Sequence, residues 1–441
     1  MLYNSSQIRE ILFQCISDLE KQPEKYALDP EKDFSRRRKL PFYTLTRILL
    51  SMAASCVDGE LVRYFELSNG NMPTVSAFLQ RKDRLRSDAY SHLLSSFNAH
   101  FPPKLYRGKY QLCAVDGSGF YLYRDPSDTE AYAPPDGRSN EGFNEIHAIS
   151  LFDLLSNRYE DLIVQPAPRK NEFSALCQFA DRFHPSSHTA LFLADRGFAS
   201  YNVYAHLIEN RHAFLIRVKD INASRLLYGD VRTLPDHLDV SFSRILSRSQ
   251  SSKKRLHPER AAEYRFVCKN VSFDFFDDSS SEYLISLRLI RFKISDGIYE
   301  NLVTNLPADS FSFSDLTDLY SRRWGIETSF DSLKNNVGAS AFHSKKRSSV
   351  VMELWLRLVF FNFASAIAGL AAPCAPPTRK HPCKLNFAAV IRRCRQFILP
   401  FASTGPPDSF SFAGLFLPVR PGRSADRKLR IHPPLSFHHR V

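Results

Sequence analysis

The stretch YQLCAVDGSGFYLY, residues 110–123, is an apolar run that ends in an aspartate followed by a glycine. This pattern indicates a buried β-strand that ends at Asp116. The stretch HTALFLADRGF, residues 188–198, has the same form and ends at Asp195. A carboxylate at the end of a buried strand is costly unless it is paired or binds a metal, and ligands gather at the carboxyl ends of strands in open α/β sheets. Each aspartate taken alone is equally compatible with a turn.

The segments around these two strands alternate in a definite order. Residues 110–218 read β-β-β-α-β-α-β, with Asn171 and Ser200 as the expected N-caps of the two helices. A three-strand meander followed by α-β units predicts a mixed sheet flanked by helices. A strand-rich stretch follows, and helix returns after Ser312, where Asp315 completes a capping pattern.

The first hundred residues are predicted to be mostly helical. Within them, ELVRYFELSNGNMPTVSAFLQRKDRLRS (residues 60–87) indicates two helices joined by a turn at residues 69–71. This arrangement is typical of a DNA-reading helix pair and also of an ordinary helical hairpin. The sequence leaves both interpretations open.

The charge of the chain is unevenly placed. The net charge is +13, and residues 341–441 carry 16 Lys and Arg against 3 Asp and Glu, so the entire excess lies there. A basic region beside a neutral body favours a polyanionic partner, most simply a nucleic acid, over a solubilising tail.

The cysteines and the chain start indicate the compartment. The 8 cysteines include no C-x-x-C pair, and MLYNSSQIREILFQ lacks the basic start and apolar run of a secretory leader. We therefore expect reduced thiols in a cytoplasmic, nucleoid-associated protein. Cys374, His381 and Cys383 lie close together, but their spacing fits no standard zinc pattern, and we assign no zinc site there.

The longest apolar stretch is expected to be a buried helix. It is LVFFNFASAIAGLAA, Leu358–Ala372, and it is shorter than the roughly 18 residues that a membrane span needs. We therefore expect no membrane partner.

A third set of charged residues lies in YSRRWGIETSFDSLKNNVG, residues 320–338. On one continuous α-helix, Tyr320, Arg323, Glu327 and Lys334 would share a stripe about 60° wide. A carboxylate between two cations suits a phosphodiester, because the carboxylate can hold a metal and the cations can hold phosphates. On one helix alone, a solvated charged face would explain the same pattern. Trp324 adjoins the stripe and is either a stacking residue or part of the packing, and we favour packing.

These features together resemble the insertion-sequence DDE transposases. The spacing Y-x₂-R-x₃-E-x₆-K is met by Tyr320, Arg323, Glu327 and Lys334, and VDGSGF and LADRGF are similar to the family's two aspartate motifs. The resemblance covers residues 110–340. It implies an α/β fold, with a ribonuclease-H-like mixed sheet flanked by helices, an all-β insertion and a helical N-terminal domain.

The resemblance also implies a division of the chain. The segments would be a helical DNA-end-binding domain (1–105), the first part of the catalytic core (106–220), a β-strand insertion (221–308), the second part of the core with the Glu-bearing helix (309–372) and a basic C-terminal tail (373–441).

The mechanism that the resemblance implies is a two-metal phosphoryl transfer. Asp116, Asp195 and Glu327 would be catalytic and would hold two Mg²⁺ ions, for which Mn²⁺ is expected to substitute. Arg323 and Lys334 would bind phosphates of the transposon end, and Tyr320 would contact DNA near the scissile phosphate. The enzyme would cut the inverted repeats of its element and join them to target DNA, as a homodimer that pairs two ends.

One departure concerns a hairpin step that some relatives perform with a tryptophan of the β insertion. This chain has only Trp324 and Trp355, and neither lies in the insertion. Phe266, Phe276 or Tyr283 would have to replace it, or the step is absent.

Two rival functions keep the fold. One is a catalytically silent or domesticated DNA-binding protein, and the other is a nuclease that cuts without rejoining. Hydrolysis by Ser118 is excluded, because G-x-S-x-G is not met.

Overall fold

The computed structural model describes most of the chain. The described residues are 3–34, 40–66, 71–135, 141–228, 234–249, 258, 262–276, 282–371, 383–400 and 410–419.

Ten strands of the described chain form one large sheet. They are β1 (Tyr110–Tyr121), β2 (Tyr132–Ala133), β3 (Phe143–Asp153), β4 (Arg158–Pro166), β5 (Thr189–Ala194), β6 (Ala213–Val218), β7 (Leu238–Ser247), β8 (Tyr264–Phe266), β9 (Glu282–Ser295) and β10 (Ile298–Thr304). Their order across the sheet is β2-β3-β1-β5-β6-β10-β9-β7-β8, and β4 pairs with β3.

The centre of this sheet has the ribonuclease-H-like arrangement. Strands β4, β3 and β1 form an antiparallel meander, and β5 and β6 then add in parallel beside β1. The meander turns at residues 154–157, where Asn157 has a φ of 51°. The expected mixed sheet is therefore confirmed.

Thirteen α-helices lie in the described residues. They are α1 (Ser5–Glu20), α2 (Pro23–Tyr26), α3 (Phe42–Ser51), α4 (Val57–Glu66), α5 (Val75–Lys82), α6 (Asp88–Ala99), α7 (Glu172–Arg182), α8 (Tyr201–Glu209), α9 (Asp220–Tyr228), α10 (Phe313–Ser321), α11 (Trp324–Asp331), α12 (Arg347–Ala368) and α13 (Phe387–Phe397). The predicted caps are confirmed, because Asn171, Ser200 and Ser312 each accept a backbone N–H at the start of α7, α8 and α10.

Helices cover both faces of the sheet. On one face, α7 and α8 share a buried cluster with β1, β5 and β6. On the other, α10 packs on the strands, and α12 shares a core with α1, α3 and α6. The N-terminal helices and the helices after Glu327 are thus packed as neighbours around α12.

Helix α12 contains most of the long apolar stretch. By length and composition it is the one helix among the described residues that could span a membrane, but most of it is buried within the fold. It contacts α1, α3, α6, α13 and β4. The expectation of a buried core helix is confirmed.

The strand-rich insertion continues the central sheet. It begins with α9. Strand β10 pairs antiparallel with β6, β9 pairs with the other side of β10, and β7 pairs with β9. The insertion therefore extends the sheet that carries Asp116 and Asp195.

The region after α12 contains packed structure. In α13, Val390, Ile391 and Cys394 are fully buried against the α12 core. Strand β11 (Cys383–Leu385) pairs with β12 (Phe416–Pro418). Cys374, His381 and the basic end, residues 420–441, lie outside the described residues.

The prediction of one continuous α-helix from Tyr320 to Gly338 is wrong. Helix α10 ends at Ser321, α11 begins at Trp324, and a π-helical turn covers Ser332–Asn336. Backbone hydrogen bonds between residues three apart join α10 to α11. One of them is donated by the Arg323 N–H to the Tyr320 carbonyl at 3.0 Å. An ideal period cannot anticipate such irregular turns, which are frequent at functional sites.

Candidate active site

The two aspartates lie side by side on neighbouring strands. Strands β1 and β5 are parallel neighbours, and Val115 is in register with Ala194, so Asp116, the next residue of β1, lies beside Asp195, which follows the end of β5. The prediction that the first strand ends at Asp116 is wrong, because β1 continues to Tyr121 and Asp116 is paired with Ser150 of β3. The backbone N–H of Gly117 donates to Asp116 Oδ1 at 2.8 Å and fixes that carboxylate.

The electrostatics of Asp116 show that three acidic groups are coupled. Burial, with the charges of Glu327 and Asp195, raises the pKa of Asp116 to about 6, although the Gly117 N–H and Arg323 act in the opposite direction. Nearby like charges disfavour ionisation unless a cation offsets them. The site is therefore built around carboxylates that need a positive partner.

Arg323 supplies a positive charge between two of these carboxylates. Its side chain is 6 % exposed, Nη2 lies 2.8 Å from Glu327 Oε1, and Nη1 lies 3.8 Å from Asp116 Oδ2. Its Nε is buried without a hydrogen-bond partner among the described residues. Arg323 was expected on an accessible stripe, and the turn before α11 instead directs it inward.

Tyr320 and Lys334 lie at opposite sides of the same edge. The buried Tyr320 donates its hydroxyl to Asp195 Oδ1 at 3.5 Å, and burial raises its pKa. Lys334 Nζ donates to the Gly119 carbonyl at 2.8 Å and lies 4.7 Å from the centre of the Phe120 ring. Burial lowers the pKa of Lys334, with Glu145 acting against it.

Two charged residues that the sequence reasoning missed complete this edge. Arg217 on β6 has Nη1 at 3.9 Å from Asp195 Oδ1 and Nε at 3.5 Å from Glu300 Oε1 on β10. Burial raises the pKa of Glu300, Asp195 adds to this, and Arg217 and Arg323 oppose it. The sequence did contain a signal for these two residues, because each is a charged residue inside an apolar strand. Arg217 lies in HAFLIRVK and Glu300 lies in IYENLVTN.

The glycines after the aspartates make room for a pair of side chains on the other face. His147 Nε2 lies 2.9 Å from Glu172 Oε1. A Cβ on Gly117 would stand 2.3 Å from His147 Nε2, and one on Gly197 would stand 3.1 Å from Glu172 Oε2. Gly117 is therefore required because the imidazole crosses directly over it.

We expect Gly117→Ala to lower DNA cleavage by about 10²-fold, because displacement of His147 would move the backbone N–H that holds Asp116. DNA binding measured by gel shift should change little. The double variant Gly117→Ala/His147→Ala removes the clash and should recover part of the cleavage rate. Full activity in the single variant would show that the close packing does not position Asp116.

Aromatic side chains of the insertion differ in accessibility. Phe276 and Tyr283 pack on Phe273, with ring centroids 4.5 and 5.3 Å apart. Phe266 is 37 % exposed and lines a cavity of about 330 Å³. Of the three suggested replacements for an insertion tryptophan, Phe266 is the one open to solvent. Trp324 is 58 % exposed, so the expectation that it packs is wrong.

The carboxylates match a divalent cation in chemistry. Oxygen ligands suit Mg²⁺, and a bound cation would favour the charged form of Asp116, whose pKa is raised by burial and by the nearby charges of Glu327 and Asp195. Among the described residues, no three His, Cys, Asp or Glu side chains are gathered closely enough to hold a metal ion. Arg323 lies between Asp116 and Glu327, so cation binding would require these carboxylates to leave the guanidinium.

Comparison with known proteins connects this site to a family. A family model described as a transposase DDE domain matches residues 107–363, a range that contains all three carboxylates and the five charged or phenolic groups around them. No curated protein matches the chain. Among solved structures, the cryo-EM structure of a piggyBac transposase synaptic complex with hairpin DNA matches at 10 % identity and a TM-score of 0.47, covering 90 % of this chain and 80 % of that one.

Proposed function

This chain belongs to the DDE transposase family, and we propose that it binds the terminal inverted repeats of its own element, cleaves the DNA at the ends and joins them to target DNA. The observation that supports this most directly is the buried Arg323, which lies between Asp116 and Glu327 and beside the Asp195 carboxylate that strand β5 delivers. One cationic group thus lies among three acidic groups from distant parts of the chain.

In this proposal Asp116, Asp195 and Glu327 hold the divalent ions that DDE transposases generally use. Two bound Mg²⁺ ions, or Mn²⁺ in their place, would activate the attacking oxygen and stabilise the leaving oxygen. Strand β1 and the end of β5 position two carboxylates on a rigid sheet, and α11 brings the third. Rigid elements on both sides suit a reaction that depends on placement of the phosphate.

The cationic groups around the carboxylates would bind DNA phosphates. When the carboxylates bind a cation, Arg323 would lose these partners, and its N–H groups would donate to a phosphate oxygen instead. Lys334 Nζ already contacts β1, because it donates to the carbonyl of Gly119, three residues after Asp116. Tyr320 would orient Asp195 through its hydroxyl and contact DNA beside it.

Two assays distinguish this function from its rivals. DNA that carries the gene's flanking ends should be nicked only with Mg²⁺ or Mn²⁺, and cut ends should join to a target plasmid. A catalytically silent DNA-binding protein would bind without nicking, and a nuclease of the same fold would nick without joining. Either outcome would overturn the proposal. A homodimer that pairs two ends is part of it, and sizing the protein–DNA complex would test that part.

We expect Lys334→Ala to weaken binding to the end sequence and to lower the salt dependence of binding by about one phosphate contact. The measurement is a series of gel shifts at increasing salt. Lys109→Ala is the matched control, because Lys109 lies at the opposite end of β1 and is exposed. An unchanged salt slope for Lys334→Ala would contradict its phosphate role.

A further inference from the structure

Four neighbouring strands present one charged residue each at the same edge of the sheet. Along the order β1-β5-β6-β10, these are Asp116, Asp195, Arg217 and Glu300. Each strand also carries a leucine two or four residues away from its charged residue. These leucines share one buried cluster, and they are Leu112, Leu193, Leu215 and Leu302. Because side chains alternate along a strand, the four charged residues lie on that face too, beneath α10 and α11.

Arg217 is shared between two carboxylates of this row. It is within 3.9 Å of Asp195 and 3.5 Å of Glu300, and its own side chain is 30 % exposed. Glu300 is more buried, at 15 % exposure. Charge pairs in such partly desolvated places interact more strongly than pairs on an open surface. The position of Arg217 therefore depends on a balance between Asp195 and Glu300.

That balance decides how available Asp195 is to a cation. A guanidinium beside Asp195 competes electrostatically with a divalent ion for that carboxylate. Glu300 gives Arg217 a second partner, to which it can remain bound when Asp195 turns to the metal. From this arrangement, and resting on the proposed function, we propose that Glu300 is a positioning residue that holds Arg217 and so keeps Asp195 available for divalent-cation binding.

The charges of the site agree with this role. The carboxylates of Asp116, Asp195, Glu327 and Glu300 face the guanidinium groups of Arg217 and Arg323. Four negative and two positive groups have a net charge of −2, which one divalent cation neutralises. Without Glu300, half of that charge is lost, and Arg217 has Asp195 as its remaining carboxylate partner in this row.

The experiment measures Mn²⁺ affinity of the full-length protein without DNA, by calorimetric titration. Glu300→Gln should weaken Mn²⁺ binding about tenfold, the size expected when one close charge pair shifts in a partly desolvated site. Glu300→Asp should restore part of the affinity. The double variant Arg217→Met/Glu300→Gln should bind Mn²⁺ at least as well as the unmodified protein, because no guanidinium then competes for Asp195.

Controls separate this role from a structural one and from failure of the proposed function. Asp296→Asn lies in the β9–β10 turn, is fully exposed, and should leave affinity unchanged. Asp195→Asn should lose Mn²⁺ binding whatever Glu300 does, and normal binding by that variant would overturn the proposed metal site itself. Unchanged affinity in Glu300→Gln, or a double variant as weak as Glu300→Gln alone, would overturn the positioning role.

Discussion

Asp116→Asn, Asp195→Asn and Glu327→Gln should each abolish DNA cleavage, with a loss of at least about 10³-fold, while the protein still binds its end sequence. The reason is that each variant removes one ligand oxygen charge from the proposed two-metal site, which would supply several kcal/mol of transition-state stabilisation. Cleavage is measured on end DNA with Mg²⁺, and binding is measured by gel shift on the same fragment.

The control for these variants lies on the same helix as Glu327. Asp331 is exposed at the end of α11 and accepts from Asn335 at 2.8 Å, so Asp331→Asn changes a carboxylate of the same type outside the site. It should cleave normally. Cleavage that persists in any one of the three site variants would remove that residue from the metal-binding set.

Glu353→Ala should destabilise the protein by about 3–5 kcal/mol, because it would leave a buried lysine without its counter-charge. Glu353 on α12 pairs with Lys82 of α5 at 3.4 Å, and both side chains are almost fully buried. It also accepts the backbone N–H of His343 at 2.9 Å and the hydroxyl of Ser344. This network joins the N-terminal helices to the segment that follows the Glu327 helix.

The same network makes stability depend on acid pH. Burial alone would raise the pKa of Glu353, but the hydrogen bond from His343 and the charge of Lys82 outweigh it and lower the pKa to about 2. A carboxyl with a lowered folded pKa stabilises the fold above its ordinary pKa, here 4.5. That contribution is lost as the pH falls from there toward 2.

Chemical unfolding of the variants tests this account. Glu10→Gln, an exposed glutamate of α1, should stay within about 0.5 kcal/mol of the unmodified protein. Lys82→Met/Glu353→Leu removes both charges and should recover much of the loss. A Glu353→Ala protein as stable as the Glu10→Gln control would show that the buried pair does not hold the N-terminal helices to α12.

The sequence predicted the mixed sheet well because the order of the apolar runs is a local pattern. The run that closes at Asp195 does mark the end of β5, whereas β1 continues past Asp116 to Tyr121 because it stays paired with β3. Asp116 and Asp195 could therefore be placed at one edge before the structure was known. The helix caps at Asn171, Ser200 and Ser312 are equally local.

Tertiary contacts account for what sequence reasoning could not find. The helical period assumes an ideal helix, whereas the backbone tightens before Trp324 and widens after Asp331, which buries Arg323 and exposes Trp324. Arg217 and Glu300 lie on strands that are distant along the chain and become neighbours only when β10 joins β6. Neither residue belongs to the signature that suggested the family.

The central claim is that Asp116, Asp195 and Glu327 bind the same divalent cations. Anomalous diffraction from Mn²⁺ in crystals of the protein with its end DNA tests it most directly. We expect Mn²⁺ peaks ligated by oxygens of all three carboxylates, with Arg323 withdrawn from Asp116 and Glu327. Peaks elsewhere, or carboxylates that stay bound to Arg323 while DNA and Mn²⁺ are present, would contradict it.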